Sequence, residues 1–390
     1  MDSDEVPNIS RIKIEKKFSK TLFSLGGQTA QFRLCKIEKQ FVGFVFYHVF
    51  LIVLAMALSV SLLVSKPFSL DHDFSLRTAE AHSATIPVGK RAVGVEYNPS
   101  NGNIYVANAD SSTVSVISGS TNSVIDTILV GRFPVWLEYV PSNNKIYVTN
   151  LESNDTYVIN GLTNEVVDAI AVGSYPLGIA YNPTNNFVYV SSGVDNTILV
   201  INAASDTVVN TIELSATPVD PGLLYRNYLL FIGYSSINDA LYVSRDQSGD
   251  VSVINALTNA DVKDIKLSDD PSIREGPVGL AYNPANNYIY VPALGSNRVF
   301  VVDSNTNSVI DVIALGIGNR PTAIAYNPIN HNMYVTNQGS NNVSVIDSTT
   351  NEVIAQIPAG NSPTGITYDS SNQHMYVSNL FSNTVTMIHP

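Results

Sequence analysis

From about residue 84 onward, short apolar runs alternate with clusters of Asn, Asp, Gly and Ser, and no stretch of 10–12 residues there carries helical periodicity. Pro176-Leu177-Gly178-Ile179-Ala180-Tyr181 is an apolar run closed by Asn182-Pro183. Phe187-Val188-Tyr189-Val190 then alternates and is β-branched, and Thr197–Ile201 and Thr207–Ile212 follow. Runs of four to six strand formers separated by turn formers predict four antiparallel strands. The unit recurs. A Tyr-Val dipeptide stands at Tyr105, Tyr147, Tyr189, Tyr242, Tyr290, Tyr334 and Tyr376, at intervals of 42, 42, 53, 48, 44 and 42 residues. A second Tyr lies eight residues before each, and Pro lies thirteen before at 134, 176, 277, 321 and 363. One supersecondary unit of roughly 42 residues copied in series is the signature of a propeller blade. Seven copies predict an all-β, seven-bladed β-propeller over residues 80–390. The paired tyrosines then belong to the repeat and mark no site by themselves.

The last copy runs Gly365–Tyr368, His374–Val377 and Thr384–Ile388, and lacks a fourth strand. Ser83-Ala84-Thr85-Ile86-Pro87-Val88-Gly89 matches the end of a fourth strand, as in Asp126-Thr127-Ile128-Leu129-Val130-Gly131. Residues 80–86 are therefore expected to complete the last blade beside residues 383–388, which removes an exposed sheet edge.

Tyr147-Val148-Thr149-Asn150 and Tyr334-Val335-Thr336-Asn337 are literal YVTN motifs, flanked by Gly173–Pro183 and by Val343-Ser344-Val345-Ile346-Asp347. Over residues 84–390 the sequence resembles the YVTN-family β-propeller repeats of archaeal surface-layer and other cell-surface proteins. The resemblance implies extracellular placement and a binding or surface-coat role, with no fixed catalytic residues. The fourth copy departs most, with Leu229 in place of Pro and Ser244-Arg245 after Tyr-Val.

Residues 41–65 carry no Asp, Glu, Lys or Arg. At 1.5 Å rise per residue, a helix of that length reaches roughly 37 Å, enough to cross a bilayer with some tilt. Residues 1–40 hold eight Lys/Arg against five acids, leaving 28 acids against 13 basic residues after them. A basic flank inside predicts a cytoplasmic tail over 1–40, a transmembrane signal-anchor helix over 41–65, a tether over 66–79 and an external propeller. The expected localisation is single-pass in the cell membrane. Secretion after cleavage near Ala79-Glu80-Ala81 is the second expectation, although the apolar run exceeds the 7–15 residues of a signal-peptide core. The single Cys35 falls in the tail. Asn154-Asp155-Thr156 and Asn342-Val343-Ser344 make Asn154 and Asn342 glycosylation candidates.

In an up-and-down blade, the strand 1–2 and 3–4 turns emerge at one end, and the strand 2–3 turns and interblade loops at the other. The first end carries near-uniform Asn-Pro-x-Asn-Asn turns. The second carries both insertions, Pro218–Tyr228 and Asp269–Gly276, which puts Tyr225, Arg226, Arg274 and Glu275 on one rim. Arg132 and Arg320, with Lys90 and Arg91, lie in interblade loops of the same end, where guanidinium groups at a channel mouth can hold carboxylate or phosphate. Eleven residues before each Tyr-Val stand Gly94, Trp136, Gly178, Phe231, Gly279, Ala323 and Gly365. Trp136 and Phe231 break a rule of small residues, so they plug the tunnel or offer a stacking platform. Glu96 and Glu138 replace the Ala of Ile-Ala-Tyr in adjacent blades, a carboxyl pair able to bind a cation or do acid–base work.

No nucleophile elbow, phosphate loop, zinc pattern or EF-type loop is present, and the pattern calls for no cofactor. The acidic external part argues against nucleic acid. The sequence thus points to a membrane-anchored external propeller that binds a cell-surface glycan or protein, or forms part of the coat. A lactonase-like hydrolase at the channel mouth and a purely structural lattice subunit are the alternatives.

Overall fold

The computed structural model describes residues 84–214, 230–270, 273 and 275–390. The tail, the 41–65 span, the tether and residues 80–83 lie outside them. Among the described residues, no helix is long and apolar enough to cross a membrane.

Seven four-stranded antiparallel sheets make up the propeller. Blade 1 runs Ala92–Asn98, Asn103–Asn108, Thr113–Ser118 and Ser123–Leu129 from inside to outside, and blades 2 to 6 repeat that order. The first strands of neighbouring blades pack on one another all the way round, including Ala92–Asn98 against Pro363–Asp369. Blade 7 combines Pro363–Asp369, His374–Asn379 and Thr384–Ile388 with Ala84–Pro87, whose register runs from Ala84 opposite Met387 to Pro87 opposite Thr384. Ile86 on that strand is buried against Val106, Tyr376 and Val385, so the two ends of the propeller share one core.

Burial falls from the second strand outward. The second strands are almost wholly buried, whereas outer strands such as Ser123–Leu129 bury one residue in seven. Among the described residues, Asn occupies thirteen of the twenty-three non-glycine positions with positive φ, so the Asn richness of the repeats is turn chemistry.

The repeated Tyr of Tyr-Val has a structural task. Each of the seven is buried, and six reach the strand 3–4 turn of the next blade. Tyr105 bonds Asn164 at 2.7 Å, Tyr189 bonds the Ala256 carbonyl at 3.0 Å, and Tyr290 bonds Asn351 at 2.9 Å. Tyr376 donates to Asn122 at 2.5 Å across the closure. The Asn four residues earlier adds an amide bond to the same hydroxyl, and in six blades it also bonds a carbonyl of that turn, as Asn372 does with Tyr376 and Gly119. Burial pushes the Tyr242, Tyr290 and Tyr376 hydroxyls up to about 12, which keeps them neutral donors. The Tyr334 hydroxyl accepts from Asn330 within its own blade at 2.8 Å, and blade 7, whose fourth strand is Ala84–Pro87, offers it no strand 3–4 turn.

Candidate functional site: a channel divided by two aromatic side chains

The repeat position eleven before Tyr-Val lies beside the channel, and small residues hold it where space is shortest. A Cβ on Gly94 would stand 2.5 Å from the Val135 carbonyl, and one on Gly365 would stand 2.6 Å from that of Val93. The first strands of blades 1, 3, 6 and 7 slip register at this point, between Pro176 and Ile179 for example, and leave the small residue unpaired in a bulge. Blades 2 and 4 differ. Trp136 pairs directly with Thr149 because the slip falls one residue earlier, and Phe231 pairs with Ser244 with no slip. The two rings meet edge to face with centroids 5.2 Å apart. Trp136 and Phe231 both line two cavities, of about 520 and 570 Å³. They stand as a crossbar between two half-channels.

The first half-channel opens towards the uniform Asn-Pro turns. Glu96 and Glu138 lie on its blade 1 and 2 side. Tyr181, Tyr234 and Tyr282 come from blades 3, 4 and 5, and Ala323, Ile324 and Ile366 from blades 6 and 7. At the repeat position of the two glutamates the other blades carry Ala180, Gly233, Ala281, Ala325 and Thr367, and these short side chains leave the space open. Glu138 Oε1 accepts the Tyr181 backbone N–H at 3.0 Å. Protein encloses both carboxyls, and what exposure they keep is into the cavity. Burial raises the Glu138 carboxyl to about 8, against the pull of that N–H. Burial, and then the charge of Glu138, raises Glu96 well above the usual carboxylate range. The pair therefore holds protons near neutrality. No Lys, Arg, His or third carboxylate lines this cavity among the described residues, and no group of three metal-ligating side chains occurs among them.

The second half-channel opens towards the insertion-bearing rim. In blades 1, 2, 3, 6 and 7 a left-handed residue immediately precedes the first strand, and Arg91 (φ 60°), Phe133 (φ 59°) and Arg320 (φ 50°) are three of these. The turn carries their side chains to the mouth beside Leu177, Leu294 and Leu380. Arg91 lies over the Phe133 ring at 4.9 Å and faces Asp110 at 3.6 Å. Arg320 is exposed.

The predicted residues are thus only partly brought together. Trp136 and Phe231 meet, Glu96 and Glu138 share one cavity, and Arg320 joins Arg91 at the other. Arg132 is exposed but donates to the Glu152 carbonyl at 3.2 Å, away from the cavity. Glu275 is 2 % exposed with Arg298 at 3.6 Å from its carboxylate, so it faces inward instead of presenting itself on the rim. Tyr225, Arg226 and Arg274 lie outside the described residues. Asn154 is exposed, yet its amide oxygen accepts the Tyr175 N–H at 3.1 Å, as Asn297 and Asn341 do for the next blade's loop. Asn342 is half-buried, with Asn337 and Ser340 donating to its amide oxygen. The tyrosines of the first half-channel were not expected at a site. They occupy the repeat position eight before Tyr-Val, and the small residue beside each of them recurs as Ala325 beside Tyr326 in blade 6, so the sequence carries no signal that singles out blades 3 to 5.

The profile of the YNCE-like β-propeller family matches residues 99–390. No curated protein matches the sequence. Among solved structures, Kuenenia stuttgartiensis hydrazine synthase superposes with a TM-score of 0.65 at 19 % identity, covering 77 % of this chain and 95 % of that one. Staphylococcus aureus virginiamycin B lyase gives 0.66 at 16 % identity, covering 79 % and 99 %. A streptogramin B lyase gives 0.67 at 16 % identity, covering 79 % and 97 %. At such identities the likeness establishes the fold alone.

Proposed function

This chain belongs to the YNCE-like β-propeller family, and from that premise we propose that it works as a binding module displayed at the cell surface. Propellers host many chemistries, so the argument rests on the channel rather than on the fold. The observation that carries it is the Trp136–Phe231 crossbar, which turns a through-channel into two blind cavities of ligand size. One cavity offers carboxyls and phenols, and the other offers guanidinium groups over an apolar floor. The charge-free 41–65 segment and its basic flank support anchoring in the membrane with the propeller outside. The YVTN motifs support a surface-coat or adhesion setting, with a glycan or protein as partner.

The hydrolase alternative needs a convergent acid, base or metal set. Here two glutamates converge without a third such group among the described residues. A lattice-subunit reading draws on a different observation. Val124, Ile125, Val167, Val209, Val262, Ile310 and Ile354 on the outer strands are exposed around the circumference.

Trp136 is the only tryptophan and touches both cavities, so its emission reports entry to either. Titration of the full-length protein with cell-surface extract fractions is expected to shift that emission saturably and raise the melting temperature. A ligand at one hundred times its Kd adds about 2.7 kcal/mol. If neither readout moves while the protein self-associates with rising concentration, the lattice reading replaces this one.

A further inference from the structure

We propose that the half-channel bounded by Glu96, Glu138, Trp136, Phe231 and the tyrosines of blades 3 to 5 is a site for an organic cation, an ammonium group carried on an aromatic or apolar body. The proposal rests on the binding-module reading and assigns a ligand class to one of its two cavities.

Charge supplies the first argument. Buried carboxylates in proteins are normally paired with a cation or strongly hydrogen-bonded. Among the described residues, no cationic side chain lines this cavity and no side chain donates to either carboxyl. Three basic side chains among the described residues are engaged elsewhere. Lys145 pairs with Asp206, and Arg91 and Arg320 line the opposite half-channel beyond the crossbar. Glu138 is nevertheless held in place by the Tyr181 N–H, so the carboxyl is oriented without being neutralised.

Shape supplies the second. The cavity, about 520 Å³, suits a small organic molecule. Its contents are sorted by blade. Carboxyls lie on blades 1 and 2, phenols on blades 3 to 5, and aliphatic side chains on blades 6 and 7. The Trp136 and Phe231 rings close the inner end, and aromatic faces, tryptophan best of all, attract organic cations. A bare divalent ion would find two carboxyls and no third ligand set among the described residues. An ammonium group has donors for both carboxyls and a body for the rings.

Proton balance follows from the same geometry. Among the described residues, the titratable groups facing the cavity are Glu96, Glu138, Tyr181, Tyr234 and Tyr282, and blades 6 and 7 contribute none. Tyr234 donates to Asp239 at 3.0 Å, which keeps its own proton in place. An entering ammonium therefore displaces a carboxylic proton to solvent and leaves a carboxylate–ammonium pair, and binding strengthens as pH rises towards the Glu138 value.

The test uses full-length protein, Trp136 emission and calorimetry, with benzylammonium as probe, benzyl alcohol as its neutral analogue and calcium chloride as the metal arm. Benzylammonium is expected to bind one to one with release of a proton. Its affinity should rise by up to about tenfold per pH unit between about pH 6 and pH 8. Proton release is read from two buffers of different ionisation enthalpy. Glu138→Gln keeps an oxygen acceptor for the Tyr181 N–H and is expected to lose the pH dependence and at least about tenfold in affinity, since a buried charged hydrogen bond contributes roughly 1.5–3 kcal/mol. Its melting curve checks that it folds, and Glu96→Gln serves as the second variant. Stronger binding of benzyl alcohol than of benzylammonium overturns the cation class and leaves the binding module standing. Stoichiometric calcium binding overturns it in favour of a metal site. If no probe binds while surface extract still shifts Trp136, the assignment to this half-channel falls. If extract also fails, the binding-module reading falls with it.

Discussion

The tyrosine layer and the channel lining are built on the same seven repeats and behave in opposite ways. In the tyrosine layer every blade has the same side chain, and six of the seven tie to the next blade through the same turn. In the channel, residues at one repeat position range from glycine to tryptophan, and at another from glycine to glutamate. Uniformity marks where the ring is held together, because every interface must solve the same packing problem. Variation marks where the ring has been freed from it. The crossbar and the carboxyl pair occur only where a strand gives up its bulged small residue or where neighbours stay short.

The largest expected effect attacks the holding layer at the closure. A chain beginning at Ala84 should melt like the full-length protein, whereas one beginning at Val88 loses the strand that covers Thr384–Ile388. Ile86→Ala alone should cost about 2–5 kcal/mol, since the side chain is 3 % exposed in a shared core. Loss of the whole strand costs more and leaves an open edge that invites pairing with another chain. Calorimetry with sedimentation checks both. Equal melting of the two truncations would mean that closure lies elsewhere.

Next comes a comparison inside the tyrosine layer. Tyr376→Phe removes the bond to Asn122 and leaves a half-buried amide oxygen without that donor, at an expected cost of about 1–2 kcal/mol. Tyr334→Phe loses only a bond from Asn330 within its own blade and should cost about half as much. Denaturant titration distinguishes them, and equal costs would show that the contacts between blades add nothing beyond burial.

A pH-dependent effect comes from the channel. The Glu138 carboxyl is raised in the folded state to about 8, so the folded protein holds a proton that the unfolded chain has lost at that pH. The sign follows directly. The group's stabilising contribution is fully present below the unfolded carboxylate pKa, declines above it, and is gone once pH passes about 8. Melting temperature should therefore drop between about pH 5 and pH 9, and Glu138→Gln should flatten that drop. An unchanged slope in the variant would place the proton on another group.

Most of the holding layer was legible in the sequence because its residues recur. Recurring Tyr-Val located the second strand of every blade, and the likeness of Thr85-Ile86 to Thr127-Ile128 pointed to the closing strand. Trp136, Phe231, Glu96 and Glu138 were visible as breaks in the repeat. That the first two would meet was not visible, since it depends on where the register slips in blades 2 and 4. Glu275 read as a rim residue from its loop, yet it is buried and faces Arg298 at 3.6 Å, a neighbour that the fold alone brings near. The three cavity tyrosines were hidden by their regularity, for Tyr326 in blade 6 stands beside an equally small Ala325 and does not line the cavity.

The smallest effect is expected at the mouth of the other half-channel. Arg91 faces Asp110 at 3.6 Å, with the two side chains 42 % and 50 % exposed, and its guanidinium lies over Phe133. An ion pair so open to water contributes roughly 0–1 kcal/mol, and an exposed cation–π contact adds about 0.5–1 kcal/mol. Arg91→Ala should therefore lower stability by about 1 kcal/mol, the middle of the combined range, since the backbone N–H bond from Arg91 to Asn383 at 2.8 Å survives the substitution. Asp110→Asn should cost less still, because it leaves the aromatic contact intact. If Arg91→Ala proved as damaging as Tyr376→Phe, this mouth would belong to the holding layer, and the division between a uniform frame and a free lining would fail at blade 1.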